Sequence, residues 1–478
     1  MIDATVLADA LASVASAEEK QDTKADELAE AEAAEAAAEP PKKFDLLLST
    51  VRAELESMEE PPPQLVPDDW FEYKVKGQFI ELAAPASLSI EASFMQAIPT
   101  GTRHILLVPW LGVSGGSERI TQLLIKALHE TYGHRGVCVV APDLQYNLDK
   151  SDRTQHAVPV AAINDVAPDC DLDGRIEILD RMMKEVIPDT VHNLNSDTGW
   201  FMFMERGPWH AQNAALFGNI YSDILYGDRF RLGAFWQYLP RCVEFMQGII
   251  ADNGAVVRSA VDTFSLPSSL QKKFFLLRTP VLGLPGAGGG FVNHPYRANA
   301  KRGTLWMSRV AREKRIDILA QVAARMPDHP FAMYGAIFAA AAKPDLDWLP
   351  STPNVDFRGR YGAIFDLPLQ EFSSYMFTSA AEGMPIALLE AAMLGLPLIA
   401  PRIGGIPELV DHETGWLVAG PDDVDGYVNA IEEADRDRGE AARRVAAAQA
   451  RLSAEYSWEA FHRTLAQVPN YLSAELRS

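Results

Sequence analysis

Apolar runs alternate with amphipathic stretches along the chain from about residue 103 onward. HILLVPWL (104–111) has the continuous apolar character of a buried strand, and ITQLLIKALHETYG (120–133) repeats its apolar residues at helical spacing. VCVVAP (137–142) then predicts the next strand. This alternation predicts a doubly wound α/β sheet. Further strands are expected within TVHNLN (190–195), GNIYSDI (218–224) and GIIADN (248–253).

The same alternation begins again after a proline- and glycine-rich stretch, PVLGLPGAGGGFVNHP (280–295). Two α/β units joined by a hinge of this composition imply a cleft between two sheets, with ligands bound at the carboxyl ends of the strands. The second unit is expected to contain strands in GTLWMSRV, FAMYG, VDFRGRY, SSYMFTSA and LPLIAP, and helices in IDILAQVAARM, EGMPIALLEAAMLG and GGIPELV.

The chain opens with a segment of different character. Residues 8–39 are dominated by Ala and Glu, which favour helix but offer little apolar surface. The following FDLLLSTVRAELESM (44–58) has one apolar stripe at helical spacing. This stripe either docks onto the protein's own body or serves self-association or a protein partner. Three prolines at 61–63 form a stiff spacer after it.

Charge and composition narrow the functional classes. A net charge of -22 excludes nucleic acid as a general partner, because binding phosphates requires clustered Lys and Arg. Cys138, Cys170 and Cys242 are too scattered for a disulfide framework, which favours a reducing compartment. The sequence has no long apolar span and no basic signal-peptide start. We therefore expect a cytoplasmic protein.

Two carboxylates flank a turn and a helix in EGMPIALLE (382–390). A carboxylate can accept hydrogen bonds from two neighbouring sugar hydroxyls, so Glu382 and Glu390 could hold two sugar rings. The backbone N–H groups of Gly383 and Met384 lie at the predicted helix N-terminus, which favours an anion, whereas Pro385 has no N–H to donate. The alternative is that Glu382 is an ordinary acid at a helix N-terminus and Glu390 is a solvated surface glutamate.

The segment SAAEGMPIALLEAAMLGLPLIAPRIGGIPELVDHETGWLV (379–418) resembles the C-terminal signature of retaining GT-B glycosyltransferases of the fourth sequence family. GVSGGSER (112–119), SRVAREKR (308–315) and SWEAF (457–461) are similar to further motifs of that family. The resemblance extends over most of residues 100–465, and residues 1 to about 90 have no counterpart in the shared core.

The resemblance implies a GT-B fold, in which two Rossmann-like doubly wound domains face a cleft, with an extra N-terminal helical segment. The expected organisation is as follows: an acidic helical extension at 1–60, a linker and the start of the N-domain at 61–100, an acceptor domain at 101–285, a nucleotide-sugar domain at 296–455, and a closing helix at 456–478 that packs back toward the N-domain.

The resemblance also implies roles for individual residues. The first acid of the motif, Glu382, would face the transferred sugar, and the second, Glu390, the ribose. Arg309 and Lys314 would clamp the two phosphates and stabilise the leaving group. Arg312 and Arg315 are interpreted as surface charges. The donor-binding set also includes Gly115 and Gly116, whose alternative role is a plain strand-to-helix turn, together with Gly383, Met384 and Pro385.

The acceptor side departs from the family pattern. Many members have a His at the end of an N-domain strand, where this chain has Tyr221 or Ser222. His192 lies in another strand and is interpreted as structural. Asn195 and Ser196, just after that strand, are expected to face the cleft. Glu408 is a further candidate for ordering the donor site, or it favours the dipole of its own helix.

Two DxD triplets raise the question of a metal. Asp423-Val424-Asp425 is interpreted as a helix cap, and Asp171-Leu172-Asp173 is placed in a polar loop. We predict neither a catalytic metal nor a cofactor.

The sequence therefore predicts a retaining, metal-independent hexosyltransferase. It would move a sugar from a nucleoside diphosphate sugar to a glycan or lipid-linked oligosaccharide, in surface polysaccharide synthesis. A partner could recruit it to the inner face of the membrane. The alternatives are hydrolysis or epimerisation of the nucleotide sugar, or a non-catalytic GT-B scaffold that docks through its N-terminal helices.

Overall fold

The structure is a computed structural model of the chain. It describes residues 93–109, 116–143, 157–222, 224–226, 230–232, 237–281, 293–337, 346–362 and 364–472. The acidic extension with its apolar stripe, Gly115 and most of the proline- and glycine-rich hinge lie outside these residues.

The first half of the described chain forms a seven-stranded parallel sheet. Its strands are β1 (His104–Leu107), β2 (Val137–Ala141), β3 (Val160–Ala162), β4 (Thr190–Asn193), β5 (Ala215–Ile220), β8 (Gly248–Ala251) and β9 (Phe274–Leu276), and a separate antiparallel hairpin comprises β6 (Ile224–Tyr226) and β7 (Phe230–Leu232). The strand order is β3-β2-β1-β4-β5-β8-β9. The helices of this half are α1 (Gly116–Tyr132), α2 (Leu172–Val186), α3 (Asp197–His210), α4 (Leu239–Cys242), α5 (Gly254–Phe264) and α6 (Ser268–Gln271). We call this sheet and its helices the N-lobe.

A second parallel sheet follows, and we call it with its helices the C-lobe. Its strands are β10 (Thr304–Met307), β11 (Phe331–Tyr334), β12 (Val355–Gly359), β13 (Ser374–Met376), β14 (Leu398–Pro401) and β15 (Trp416–Val418), in the order β12-β11-β10-β13-β14-β15. Its helices are α7 (Ile316–Arg325), α8 (Ile386–Met393), α9 (Val424–Arg436) and α10 (Arg438–Glu455). Both sheets reverse their strand order, the N-lobe between β1 and β4 and the C-lobe between β10 and β13.

Each lobe has its own apolar core. In the N-lobe, Trp200 and Phe203 on α3 are fully buried beneath the sheet. In the C-lobe, Trp306 on β10 is buried, and its indole N–H donates to Thr378 Oγ1 at 2.9 Å. The apolar clusters of one lobe contain no residue of the other lobe's sheet. Each sheet therefore buries its apolar faces without help from its neighbour.

The chain returns to the N-lobe at its end. Ser457 caps helix α11 (Trp458–Gln467) by accepting from Ala460 N–H at 3.2 Å. Phe461 and Leu465 on this helix pack into the same core cluster as the N-lobe residue Leu124. The last described turn adds Tyr471 to that cluster.

The predicted fold class is confirmed for the two parallel sheets with alternating helices. Several details differ from the sequence prediction. The strand predicted within GNIYSDI runs instead from Ala215 to Ile220 and ends before Tyr221. The Asp171-Leu172-Asp173 triplet does not lie wholly in a loop, because α2 begins at Leu172 and Asp171 caps it, accepting from Gly174 N–H at 2.9 Å. Its short carboxylate satisfies a free backbone donor at the helix start. The prediction that Asp423 caps a helix is confirmed, since it accepts from Gly426 N–H at 2.9 Å.

Within the described ranges, none of the helices combines the length and apolar character needed to cross a bilayer.

Tyr471 ties the end of the chain to the N-lobe. Its ring is fully buried, with its centroid 4.9 Å from that of His104 and 5.0 Å from that of Phe217. Its hydroxyl lies 2.7 Å from Nδ1 of His192. We expect Tyr471→Ala to lower the free energy of unfolding by about 3–5 kcal/mol, because the lost ring leaves a cavity.

The matched variant Tyr471→Phe keeps the ring and loses only the hydroxyl. We expect it to cost about 1–3 kcal/mol, because the ring nitrogen of His192 loses its partner. Denaturant unfolding of both variants measures these values, and equal losses would contradict the division between ring and hydroxyl.

Candidate active site

The strand order of the C-lobe sheet reverses between β10 and β13. β10 and β13 are neighbours at this point, and the connections after them leave in opposite directions. In parallel sheets such a point is where ligands bind. The loop after β10 contains Arg309 and Lys314, and the segment after β13 contains Glu382.

Two hydrogen bonds hold these segments together. Thr378 Oγ1 donates to the carbonyl of Lys314 at 2.7 Å, and Ala380 N–H donates to the carbonyl of Glu313 at 2.9 Å. Lys314 Nζ donates to Glu382 Oε1. The two side chains are only 12% and 14% exposed, respectively. The structure therefore brings Lys314 and Glu382 into contact as a largely buried ion pair.

The other cations of this loop lie apart from that pair. Arg309 is 59% exposed, and its Nη2 lies 3.3 Å from Oε1 of Glu313. Arg315 pairs with Asp317 at 2.9 Å and with Asp422 at 2.7 Å. Arg309 is thus near the crevice in sequence but does not share the contact made by Lys314.

Helix α8 places Glu390 at the boundary between the lobes. The helix begins at Ile386, with Pro385 as the residue that precedes its first turn. Glu390 lies one turn further along and is paired across the cleft with Arg119 of α1, Nη1 to Oε1, at 2.5 Å. Sequence reasoning did not single out Arg119. Gly116 is the first residue of α1, so Arg119 belongs to the first turn of that helix.

The turn before α8 packs against the ends of N-lobe strands. A Cβ at Gly383 would lie 2.5 Å from the carbonyl oxygen of Tyr221, so a side chain does not fit there. Met384 N–H donates to Asp252 Oδ2 at 3.4 Å. The group that accepts from this helix start is therefore a carboxyl oxygen of the N-lobe. On the other side, Gly405 N–H donates to the carbonyl of Gly383 at 2.9 Å.

Gly404 adds a second constraint on this turn. Its φ of +47° lies in the left-handed region, and a Cβ there would lie 1.8 Å from the carbonyl oxygen of Glu382. The backbone after Glu382 is therefore held between two segments that approach it too closely for side chains.

Glu408 joins the lobes in a way that the sequence did not predict. It ends a short 3₁₀ turn, Ile406–Glu408, and it does not begin a longer helix. Its Oε1 accepts from Gly254 N–H at 2.7 Å and Ala255 N–H at 3.1 Å, and its Oε2 accepts from Arg278 at 2.7 Å. Glu408 thus favours a helix dipole, but that of α5 in the N-lobe.

Asp252 is a second acid at the start of α5 that sequence reasoning missed. It follows β8 directly and is 5% exposed. Burial, and to a smaller extent Glu408, raise its pKa from 3.8 to about 7, against hydrogen bonds from Asn253 and Met384 that lower it. An acid that ends a buried strand, as in GIIADN, was the available sequence signal.

The acceptor-side candidates form a buried network around His192. Its Nε2 lies 2.5 Å from Asn219 Oδ1, and Asn219 Nδ2 donates to the Tyr221 hydroxyl. Burial lowers the pKa of His192 to about 3, so the ring is neutral at physiological pH. Its Nε2–H therefore donates to Asn219, and its Nδ1 accepts from Tyr471. Burial also raises the pKa of Tyr221.

Asn195 and Ser196 follow β4 at the carboxyl edge of the N-lobe sheet. Ser196 caps α3 by accepting from Gly199 N–H at 3.0 Å. Asn195 has a φ of +67°. Nearby, Asp143 accepts from both Oγ1 and N–H of Thr198 at 2.7 and 3.0 Å. Within the described residues, Oδ1 of Asn195 and Oδ2 of Asp143 are buried and lack a hydrogen-bond partner.

No group of three or more His, Cys, Asp or Glu residues with metal-binding geometry occurs in the part of the chain that the structure describes.

We expect Asp252→Asn to change how stability depends on pH. Between pH 3.8 and about 7 the folded protein keeps a proton on Asp252 that the unfolded chain has lost, so the contribution of Asp252 to wild-type stability falls as pH rises through this window. The asparagine does not titrate. The variant should therefore gain stability relative to wild type as pH rises from about 4 to 7, by up to about 4 kcal/mol.

Denaturant unfolding at several pH values tests this expectation. The matched control is Asp262→Asn on α5, where the carboxylate is exposed. A difference between Asp252→Asn and wild type that stays constant with pH would contradict the raised pKa.

Comparison with known proteins finds a family model that matches part of the chain and solved structures with the same fold. Residues 301–437 match the sequence model of the family described as "Glycosyl transferases group 1". The amylovoran biosynthesis glycosyltransferase AmsK of Erwinia amylovora is 33% identical over 88 residues, which are 18% of this chain and 21% of that protein. The chain thus spans about a fifth of that relative's length.

Solved structures match over a larger part of the chain. The lipopolysaccharide outer core galactosyltransferase WaaB in its apo form matches 77% of this chain and 99% of its own, with a TM-score of 0.58 and 13% identity. Anabaena Alr3699/HepE in complex with UDP matches 77% and 99%, with a TM-score of 0.55 and 19% identity. The described part of the chain therefore has the GT-B fold, and its C-lobe matches the group 1 glycosyltransferases over residues 301–437.

Proposed function

We propose that this protein is a retaining glycosyltransferase of the fourth sequence family. It transfers a hexose from a nucleoside diphosphate sugar to a glycan or lipid-linked oligosaccharide acceptor in surface polysaccharide synthesis. The observation that carries the proposal is the buried contact of Lys314 with Glu382 at the point where the C-lobe strand order reverses. This contact supports the proposal because it joins a cation to a carboxylate that can accept hydrogen bonds from sugar hydroxyls, at the point where such sheets bind ligands.

Donor binding would exchange partners at this pair. The diphosphate of the donor carries more negative charge than one carboxylate, so Lys314 would move from Glu382 to phosphate oxygens. Glu382 would then accept hydrogen bonds from hydroxyls of the transferred sugar. Glu390, one turn into α8, would accept from the ribose hydroxyls. Each donor group would find a partner that is already present in the crevice.

The cations would do their main work when the sugar–phosphate bond breaks. Negative charge then grows on the leaving diphosphate, and Lys314 would stabilise it in a site with little water. Arg309 is exposed on the same loop and would add a second positive charge when the donor is present. No cofactor and no divalent cation are needed for this step.

Retention would follow from attack on the same face that the diphosphate leaves. The leaving phosphate itself would take the proton of the acceptor hydroxyl. The N-lobe would hold the acceptor near the carboxyl ends of its strands, where Tyr221 and Asn195 lie. Contact between the lobes would exclude water from the reactive sugar.

The names of similar proteins support this proposal at the level of glycosyl transfer. AmsK is named as a glycosyltransferase of amylovoran biosynthesis, and Alr3699/HepE was solved with UDP. We further propose that residues 1–60 mediate self-association or bind a protein partner. Such a partner would recruit a cytoplasmic enzyme to the inner face of the membrane.

We expect Lys314→Ala to lower the rate of sugar transfer by about 10²–10³-fold, because one preorganised contact to the leaving group is lost. Glu382→Gln should cause a similar loss, because the amide is a weaker hydroxyl acceptor and lacks the charge that balances Lys314. Initial rates with a donor chosen by thermal-shift screening of nucleoside diphosphate sugars provide the measurement.

Lys301→Ala is the matched control for charge. Lys301 precedes β10 at the opposite edge of the same sheet and is exposed. This variant should keep wild-type rates, and circular dichroism should show that all three variants are folded. Normal turnover in folded Lys314→Ala would refute the proposed site. A wild-type protein that binds no donor would favour the scaffold alternative.

We expect removal of divalent cations to leave the transfer rate unchanged. The positive charge at the leaving group would come from the side chains of Lys314 and Arg309. Rates are compared before and after treatment with excess chelator, followed by back-addition of Mg²⁺ or Mn²⁺. Activity that disappears with chelator and returns only with a metal would overturn the metal-independent mechanism.

A further inference from the structure

Arg119 and Glu390 form an ion pair between the two lobes. Arg119 lies in the first turn of α1, and Glu390 lies on α8 of the C-lobe, 271 positions later in the chain. Nη1 of Arg119 donates to Oε1 of Glu390 at 2.5 Å. The glutamate side chain is 12% exposed and the arginine side chain 34%. The acid is therefore largely buried, whereas the arginine reaches it from the rim of the cleft.

An arginine in the first turn of a helix is electrostatically unfavourable for that helix. The N-terminus of α1 has a partial positive charge, which disfavours a cation within the first turn. Glu118 in the same turn favours this dipole, and Glu390 of the other lobe forms a direct ion pair with Arg119. The ion pair with Glu390 forms only while the two lobes are in contact.

Glu390 in turn depends on Arg119 for its charge. Burial raises the pKa of Glu390, and Arg119 opposes that effect through its charge and its hydrogen bond. The other titratable groups that interact electrostatically with Glu390 are Tyr361 and Tyr375, whose pKa values are raised, mainly by burial. Both hydroxyls are neutral at physiological pH. Among the described residues, Arg119 is therefore the cation that pairs with the Glu390 carboxylate.

We propose that Arg119 is a positioning residue for the donor site, which it reaches from the opposite lobe. It holds Glu390 ionised and oriented so that the carboxylate can accept hydrogen bonds from the donor ribose. The donor site in the C-lobe would then be complete only when the N-lobe is closed upon it. This inference rests on the proposed function, in which Glu390 binds the ribose.

A blocking role for the same contact predicts the opposite result. If Arg119 merely occupied Glu390 in competition with the donor, its removal would free the carboxylate and strengthen donor binding. If Arg119 supports Glu390, its removal leaves a buried acid without a cation. The acid then takes up a proton at higher pH and loses its ability to bind hydroxyls through a charged oxygen.

The test is donor affinity as a function of pH, measured by calorimetry on the full chain. We expect Arg119→Ala to weaken binding about tenfold near neutral pH, which corresponds to about 1.4 kcal/mol. As the pH is lowered, the variant should lose donor binding at a pH about one unit higher than wild type does. Arg119→Lys keeps the charge and should recover most of the affinity. Once donor is saturating, the transfer rate should change less than KM.

Two further variants separate this role from general damage. Lys126 lies two turns further along the same helix, where its ion pair with Glu130 is exposed. The Lys126→Ala variant should bind donor as wild type does. In a Glu390→Gln background, Arg119→Ala should have little additional effect, because there is no charge left to maintain. Affinity in Arg119→Ala that equals or exceeds wild type at every pH would overturn the proposal.

Failure of this inference differs visibly from failure of the proposed function. If wild type binds a nucleoside diphosphate sugar and Arg119→Ala binds it equally well, only the role of Arg119 is wrong. If wild type binds none of the nucleoside diphosphate sugars in the panel, the proposed function and this inference are both overturned.

Discussion

Contact between the lobes depends on carboxyl groups that form hydrogen bonds or ion pairs with groups of the other lobe. Glu408 of the C-lobe caps helix α5 of the N-lobe, Asp252 of the N-lobe accepts from the turn before α8, and Glu390 pairs with Arg119. Hydrogen bonds to charged groups such as Glu408 and Glu390 contribute about 1.5–3 kcal/mol each. The apolar clusters remain within their own lobes. Separation of the lobes would therefore break a few polar contacts and leave both cores intact, which suits a site that must open and close.

The same carboxylates impose a constraint on ligand binding. Glu382, Glu390, Glu408 and Asp252 bring acidic groups to the meeting of the lobes in a chain with a net charge of -22. A dianionic ligand would enter such a cleft only where cations balance these acids. Lys314 is already paired with one of them. Binding of the proposed donor is therefore an exchange of partners, and its free energy is the difference between two sets of charged contacts.

The sequence predicted what depends on one element at a time. Apolar runs located the strands after which Lys314 and Glu382 follow, and the resemblance of the motif identified these two side chains. Sequence reasoning missed the contacts that residues make with the opposite lobe. Periodicity reports which face of a helix is apolar, but not what lies across a cleft. Glu408 was therefore interpreted either as a candidate for ordering the donor site or as an acid that favours its own helix, and Asp252 was overlooked.

The arrangement of the lobes and of the Lys314–Glu382 pair depends on two glycines as much as on polar contacts. Gly383 and Gly404 occupy positions where a Cβ would approach a carbonyl oxygen within 2.5 and 1.8 Å. A side chain at Gly383 would push the turn away from Tyr221 of the N-lobe. The N–H of Met384, which donates to Asp252, would move away with the turn. A side chain at Gly404 would displace Glu382 from Lys314 within the C-lobe. One glycine thus governs the distance between the lobes, and the other governs the geometry of the ion pair. The local backbone conformation and the proposed chemistry are linked through the same few residues.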